Sequence, residues 1–515
     1  MVRTAGAKGF LFLAALALAV SFYAWQRREK DNMVTPQLRV AFPANDKLSD
    51  YDPAKIHYAH QYILLENLYS QLVGYDTKGE IVSGLAEKFE WVGSEVRFQI
   101  RKGLKTIDGR EITARDAELS LKRLFILQSN THGDISRAIC GGKIIKKLSD
   151  KCENMLVKDS HTLILRFPHK DPFLFSMLTS VDFSVIPEKS FDHKTLKITD
   201  YKNTSGPYYA INSSTSGNIE LAANPVHYHY SDRMPVKVLL LSSLSGAKSA
   251  SLDLFKESKV DMLTTADIGG AETIRKYAES AGGVEMFKTI PIKLAALTFT
   301  PTGVSRLSVD ERFIITALIK KTLLPSLAAG GAEPTTQLFP PFGQGALSES
   351  QLNLVNARFE KVTDTVFPGK FTAWNLPKDS WPALKEVFPN ADFKYVTAIP
   401  GHADYKALGL QEPDLFLRRT DTSIKEDISF FSYYMSGYFF SIHGKKGAEW
   451  VNKYSKTENL ADRMKMLNKL HYDTLAGAIT VPLTFSSYVA IARKPWRFDF
   501  FDLHAGTTFW RMRCN

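Results

Sequence analysis

The close histidine pairs, His57 with His60 and His227 with His229, come nearest to the spacing that metal or acid–base chemistry needs. His57 and His60 fall one helical turn apart, which puts two imidazoles on one face where a metal ion can bridge them. No third ligand stands near them in the sequence, so two solvent-facing histidines and no metal are expected. His227 and His229 would share one face of an extended segment, and the same expectation applies. Motifs for nucleophilic attack, metalloproteolysis or phosphate cradling are absent: the chain has no G-x-S-x-G, H-E-x-x-H, Walker loop or G-x-G-x-x-G. Acidic residues are dispersed, so no acid–base dyad can be read from spacing. A binding protein without cofactor fits these residues better than an enzyme.

Three cysteines occur, at 140, 152 and 514. No CxxC or Cys/His spacing suggests zinc. Cys140 and Cys152 would either remain thiols or, in an oxidising compartment, close a loop contributing about 3 kcal/mol by the chain-entropy argument.

The elements that must position any site are clearest between Val96 and Leu124. Val96, Phe98 and Ile100 alternate with Arg97, Gln99 and Arg101, the period-two pattern of a half-buried strand. Gly103 interrupts the pattern, and Asp108-Gly109 supplies a tight turn. Thr113 starts a helix, with Asp116 three residues on completing a capping box, and Ala117, Leu121 and Leu124 form its apolar face. Further strands are predicted at 38–42, 162–167, 219–221 and 236–241, with helices at 60–72 and 247–257. Ala461–Ala476 reads as an amphipathic helix with Met464, Leu467, Leu470 and Leu475 inward. Short apolar strands alternating with helices indicate an α/β class.

At 515 residues the chain is long enough for two or three lobes. Hydrophobic residues make up 44% and charged residues 23%, an ordinary globular balance. The net charge of +11 is scattered rather than gathered among aromatics, which argues against a nucleic-acid partner. Residues 1–31 read as a signal peptide or N-terminal anchor and linker. Arg3 and Lys8 precede an uncharged run from Gly9 to Ala24, and Arg27 and Arg28 follow it. Small residues at 17–21 offer a cleavage site, while the length leaves an uncleaved anchor open.

The order F-x-[IL]-R-x-G-x(4)-D-G-x(3)-T-A-x-D over residues 98–116 resembles the extracellular solute-binding proteins of family 5, the oligopeptide- and dipeptide-binding group of ABC transporters. Further landmarks run in register: Asp52-Pro53, Ser205-Gly206-Pro207-Tyr208, Asn224-Pro225, Val260-Asp261, Asp310-x-Arg312 and Lys494-Pro495-Trp496. The resemblance implies a type II periplasmic-binding-protein fold, two lobes with a hinge and an inserted sub-lobe in the first. Lobe I would take 37–50, 183–265 and 480–515, the sub-lobe 51–182, and lobe II 266–479. It implies capture of a peptide or similar small solute between the lobes and delivery to an ABC permease. The protein would be a monomer in the periplasm, touching the inner membrane only through an uncleaved N-terminal segment.

Asp421 resembles the family's aspartate that grips the ligand amine. Arg418 stands where an aromatic is expected, and it would either pair with Asp421 or receive a ligand carboxylate. Phe485, Ser486 and Tyr488 resemble cleft-lining positions, with core packing as the competing role. A second reading is a non-transport sensory or assembly subunit on the same scaffold, tethered by residues 9–24.

Overall fold

A computed structural model describes residues 37–514 except 43–46, 57–58, 77–78, 129–132, 169, 172, 214–217, 243–249, 265–267, 340–344, 397–408, 421–444, 458 and 499–507. Among the described residues three larger sheets, beside two of only two strands, organise the chain. The first has seven strands in the order Val284–Lys288, Val489–Arg493, Met262–Thr264, Gln37–Phe42, Lys237–Ser242, Ile219–Ala223 and Tyr208–Ser213. Gln37–Phe42 lies parallel to Lys237–Ser242 over six residue pairs, and Leu38, Val40 and Phe42 are fully buried. Asp261, the acid of the Val260-Asp261 landmark, has a direct structural task. Its carboxylate accepts from the Arg39 amide at 2.9 Å and from the Arg39 guanidinium at 2.6 and 2.9 Å, which ties the crossover to that central strand.

A four-stranded antiparallel sheet, Ala86–Val92, Glu95–Ile100, Thr162–Arg166 and Met155–Asp159, is inserted between strands of the first. Val96, Phe98 and Ile100 are buried, as their alternation requires. Gly109 turns at φ +87°. The helix Ala114–Leu127 begins at Thr113, whose amide and hydroxyl both donate to Asp116, at 2.7 and 3.0 Å. Ala117, Leu121 and Leu124 then enter the core of this unit.

From the same helix Arg123, 1% exposed, reaches back to the start of the unit. Its guanidinium donates to both oxygens of Asp52, and its Nε donates to the Leu196 carbonyl at 2.8 Å. Gly206 is demanded by a close approach: a Cβ there would lie 2.5 Å from the Leu68 carbonyl carbon, while its amide donates to that carbonyl.

The third sheet has six strands, Glu333–Pro334, Thr480–Ser486, Lys293–Phe299, Leu415–Thr420, Thr372–Trp374 and Asp392–Lys394. Lys293–Phe299 and Thr480–Ser486 are buried at every residue, so both faces are covered by helices. Pro482 sits at a register shift in the latter, where a missing amide is tolerated. The helix Leu460–Ala476 buries Leu467, Leu470 and Leu475. Met464, expected inward, is 38% exposed: one turn in, it lies beyond the edge of the face that the core covers.

Cys140 and Cys152 are joined as a disulfide, and both are buried. Among the described residues no helix is long and apolar enough to cross a membrane. The segment 1–31, read as signal or anchor, lies outside the described residues.

Candidate functional site

The chain passes between the seven-stranded and six-stranded sheets at two adjacent places. One passage, residues 289–292, joins Lys288 to Lys293; the other, Ser487-Tyr488, joins Ser486 to Val489. The two passages are laced together. Thr289 donates its amide to the Tyr488 carbonyl at 3.0 Å, Tyr488 donates its amide to the Thr289 hydroxyl at 2.9 Å, and Ile292 donates to the Ser486 carbonyl at 3.1 Å. Two short strand-to-strand links with matched hydrogen bonds can bend together, which is the geometry of a hinge.

Three of the sequence-predicted residues meet here. Ser486 and Tyr488 are each 3% exposed, and Phe485 is 4% exposed. Ser486 lies opposite Lys293 in the antiparallel register, and Phe485 lies opposite Leu294. Phe485 packs with Leu294, Ala296, Leu338, Phe339, Tyr454 and Leu467, a core role. The Lys293 ammonium sits 4.4 Å from the centre of the Tyr488 ring, a contact worth about 1–2 kcal/mol when shielded from water. Thr484, Ser486 and Ser487 carry buried hydroxyls with no hydrogen-bond partner among the described residues. Each such group costs about 1–3 kcal/mol until something pairs with it. A cation and several hydroxyls beside these two passages can hold a polar solute; they include no nucleophile–base pair.

Arg418 is half-buried on the strand Leu415–Thr420, opposite Ala296. That strand flanks Lys293–Phe299 on the side away from Phe485 and Ser486. Its last residue, Thr420, is level with Leu294 and so with Phe485. Asp421 follows directly and lies outside the described residues. Sequence reasoning missed Lys293, Thr289 and Ser487. A single cation heading the apolar run Lys293–Phe299 was the signal available for the first.

The histidine pairs separate. His57 lies outside the described residues, and His60 packs edge-on against Phe42 and Tyr51, at 6.0 and 6.4 Å. His227 and His229 sit in consecutive turns, not on an extended segment, because Asn224-Pro225 ends the preceding strand. The His229 amide donates to His227 Nδ1 at 3.2 Å, which leaves the His227 proton on Nε2, 3.3 Å from the Ser70 hydroxyl. His229 stacks on Trp510 at 3.6 Å. No group of three metal-ligating residues occurs among the described residues.

Burial holds His227 down to about 3, and His471, fully enclosed, down to about 4. Both fold as neutral imidazoles, whereas in the unfolded chain they take a proton near 6.5. Stability is therefore complete above about pH 6.5 and lost as the pH falls towards the folded values. Moving from pH 7 to pH 5 should lower unfolding free energy by about 2 kcal/mol per histidine. Urea midpoints at the two pH values check this, and a His471→Asn variant should show the smaller drop.

Residues 80–301 match the family described as bacterial extracellular solute-binding proteins, family 5 Middle. No curated protein sequence matches the chain. Solved structures match almost throughout. The Escherichia coli murein tripeptide binding protein MppA is 15% identical, with a TM-score of 0.70 over 93% of this chain and 99% of that one. Haemophilus influenzae OppA in complex with RPPGFSPFR is 16% identical, with a TM-score of 0.70 over 93% and 99%. A dipeptide binding protein from Pseudoalteromonas sp. SM9913 in complex with Met-Leu is 14% identical, with a TM-score of 0.71 over 93% and 100%. At these identities the likeness establishes the fold, that of the periplasmic binding proteins. The residues 98–116 that carry the resemblance to family 5 solute-binding proteins fall inside this matched span.

Proposed function

We propose that the chain is an exported solute-binding protein that takes a peptide or similar small solute between its two large sheets and passes it to an ABC permease. The observation that carries this reading is the pair of laced passages at 289–292 and 487–488, with unpaired buried hydroxyls and Lys293 beside them. The lobe boundaries are best drawn at these passages, later than the 265 and 479 expected from the sequence, with 51–182 kept as the sub-lobe. The peptide ligands of similar structures support the solute class. No sequence motif for acid–base or nucleophilic chemistry competes with binding, and the reading includes no cofactor. Calorimetry with di- to pentapeptides tests it: a folded protein that takes up none of them contradicts the peptide assignment.

A contact bridging the sub-lobe and the second lobe supports hinge closure as the means of capture. Phe173 leaves the sub-lobe beside buried Leu174 and stacks on Tyr454 at 5.1 Å, which stacks on Trp450 at 5.0 Å. The Arg463 guanidinium lies against both rings, 3.7 Å from the centre of Phe173 and 5.4 Å from that of Tyr454. Such a stack contributes about 1–2 kcal/mol to the joined arrangement. Phe173→Ala should therefore weaken solute affinity roughly five- to thirtyfold and enlarge the scattering radius of the liganded protein. Unchanged affinity and radius would show that this stack has no part in closure.

A further inference from the structure

We propose that the disulfide-closed loop from Cys140 to Cys152 is a docking surface for an anionic lipid bilayer. Between residues 137 and 158 the chain carries six cations, Arg137, Lys143, Lys146, Lys147, Lys151 and Lys158, against two carboxylates, Asp150 and Glu153. All six cations are exposed. Glu153 pairs with Lys143 at 3.0 Å, and Asp150 accepts the amides of Lys146 and Lys147 at 2.8 and 3.2 Å. Two carboxylates offset only two of the six cations, so the segment keeps a net positive charge.

The display is rigid. Ile145 and Leu148 are buried beneath the loop, the disulfide closes it, and Gly141 and Gly142 turn it at φ +65° and +81°. Between the lysines Ile144 stands 55% exposed, and Leu156 on the adjoining edge strand is 41% exposed. An aliphatic side chain ringed by lysines suits the headgroup boundary, where the aliphatic enters the acyl layer and the ammonium groups meet lipid phosphates. Charge complementarity and the exposed Ile144 together favour lipid over an acidic protein surface. This contact is independent of solute capture and adds to the N-terminal segment as a membrane contact.

The test is a lysine-acetylation footprint of the full chain on phosphatidylcholine vesicles, with and without phosphatidylglycerol. A footprint is needed because the apolar run near the N-terminus can hold the chain on either vesicle. Lys143, Lys146, Lys147 and Lys151 should be shielded only when phosphatidylglycerol is present, and high salt should remove the shielding. Each lysine removed should weaken the contact roughly fivefold. A Lys146→Glu/Lys147→Glu variant, with unchanged circular dichroism, should therefore leave Lys143 and Lys151 unshielded. Equal acetylation on both vesicle types, or shielding that ignores salt and charge reversal, overturns the proposal. So does shielding that requires a membrane protein in the vesicle.

Discussion

Replacing Arg123 by methionine should destabilise the protein by about 3–5 kcal/mol, the largest stability effect expected of any single substitution here. Arg123 is enclosed at 1% exposure, and its guanidinium serves Asp52 and the Leu196 carbonyl together. Methionine matches much of the side chain's volume, so little of the loss comes from a cavity. The cost arises because Asp52, 7% exposed, is left with no cation opposite it. The double variant Arg123→Met/Asp52→Asn should recover a substantial part of the loss, since no buried charge remains. Denaturant unfolding of the four proteins in the cycle measures the coupling, and a cost below about 1 kcal/mol for Arg123→Met contradicts the reading.

Asp421→Asn should produce the largest functional effect: a loss of roughly tenfold to a hundredfold in affinity for peptides with a free amine. That range corresponds to a charged hydrogen bond of about 1.5–3 kcal/mol. Peptides acetylated at the amine should bind the variant and the parent alike. Arg418, half-buried on the strand that leads to Asp421, supplies the control. If Arg418 pairs with Asp421, Arg418→Gln should raise affinity for the free amine. If Arg418 receives the ligand carboxylate, the same change should lower affinity for every free peptide and spare amidated ones. Titration calorimetry reads all of these outcomes, and unchanged affinity in Asp421→Asn removes the aspartate from the site.

What the sequence revealed and what it hid divide along the range of the interactions. The strand at Val96–Ile100, the turn at Asp108-Gly109 and the Thr113–Asp116 capping box are set by neighbours within a few residues, and each is found as read. The α/β class follows from the same local patterns. Met464 lies on the apolar side of its helix, but whether that side is covered depends on a distant partner surface. The turns holding His227 and His229 follow from Asn224-Pro225, and the stacking that covers His229 comes from Trp510, far along the chain. Of the candidate site, Ser486 and Tyr488 were legible as positions on the returning segment. Their meeting with Thr289 and Lys293 was not, because only the cross-strand register of two distant segments brings them together. Asp421 and Arg418 were legible only through a family pattern from which this chain departs at the aromatic position.

The central claim is capture without conversion, and native mass spectrometry of the full chain incubated with a defined peptide mixture tests it most directly. The account predicts one peptide of unaltered mass bound per protein, released intact on unfolding. A folded protein that carries no peptide, or that releases cleaved or otherwise modified products, would contradict it.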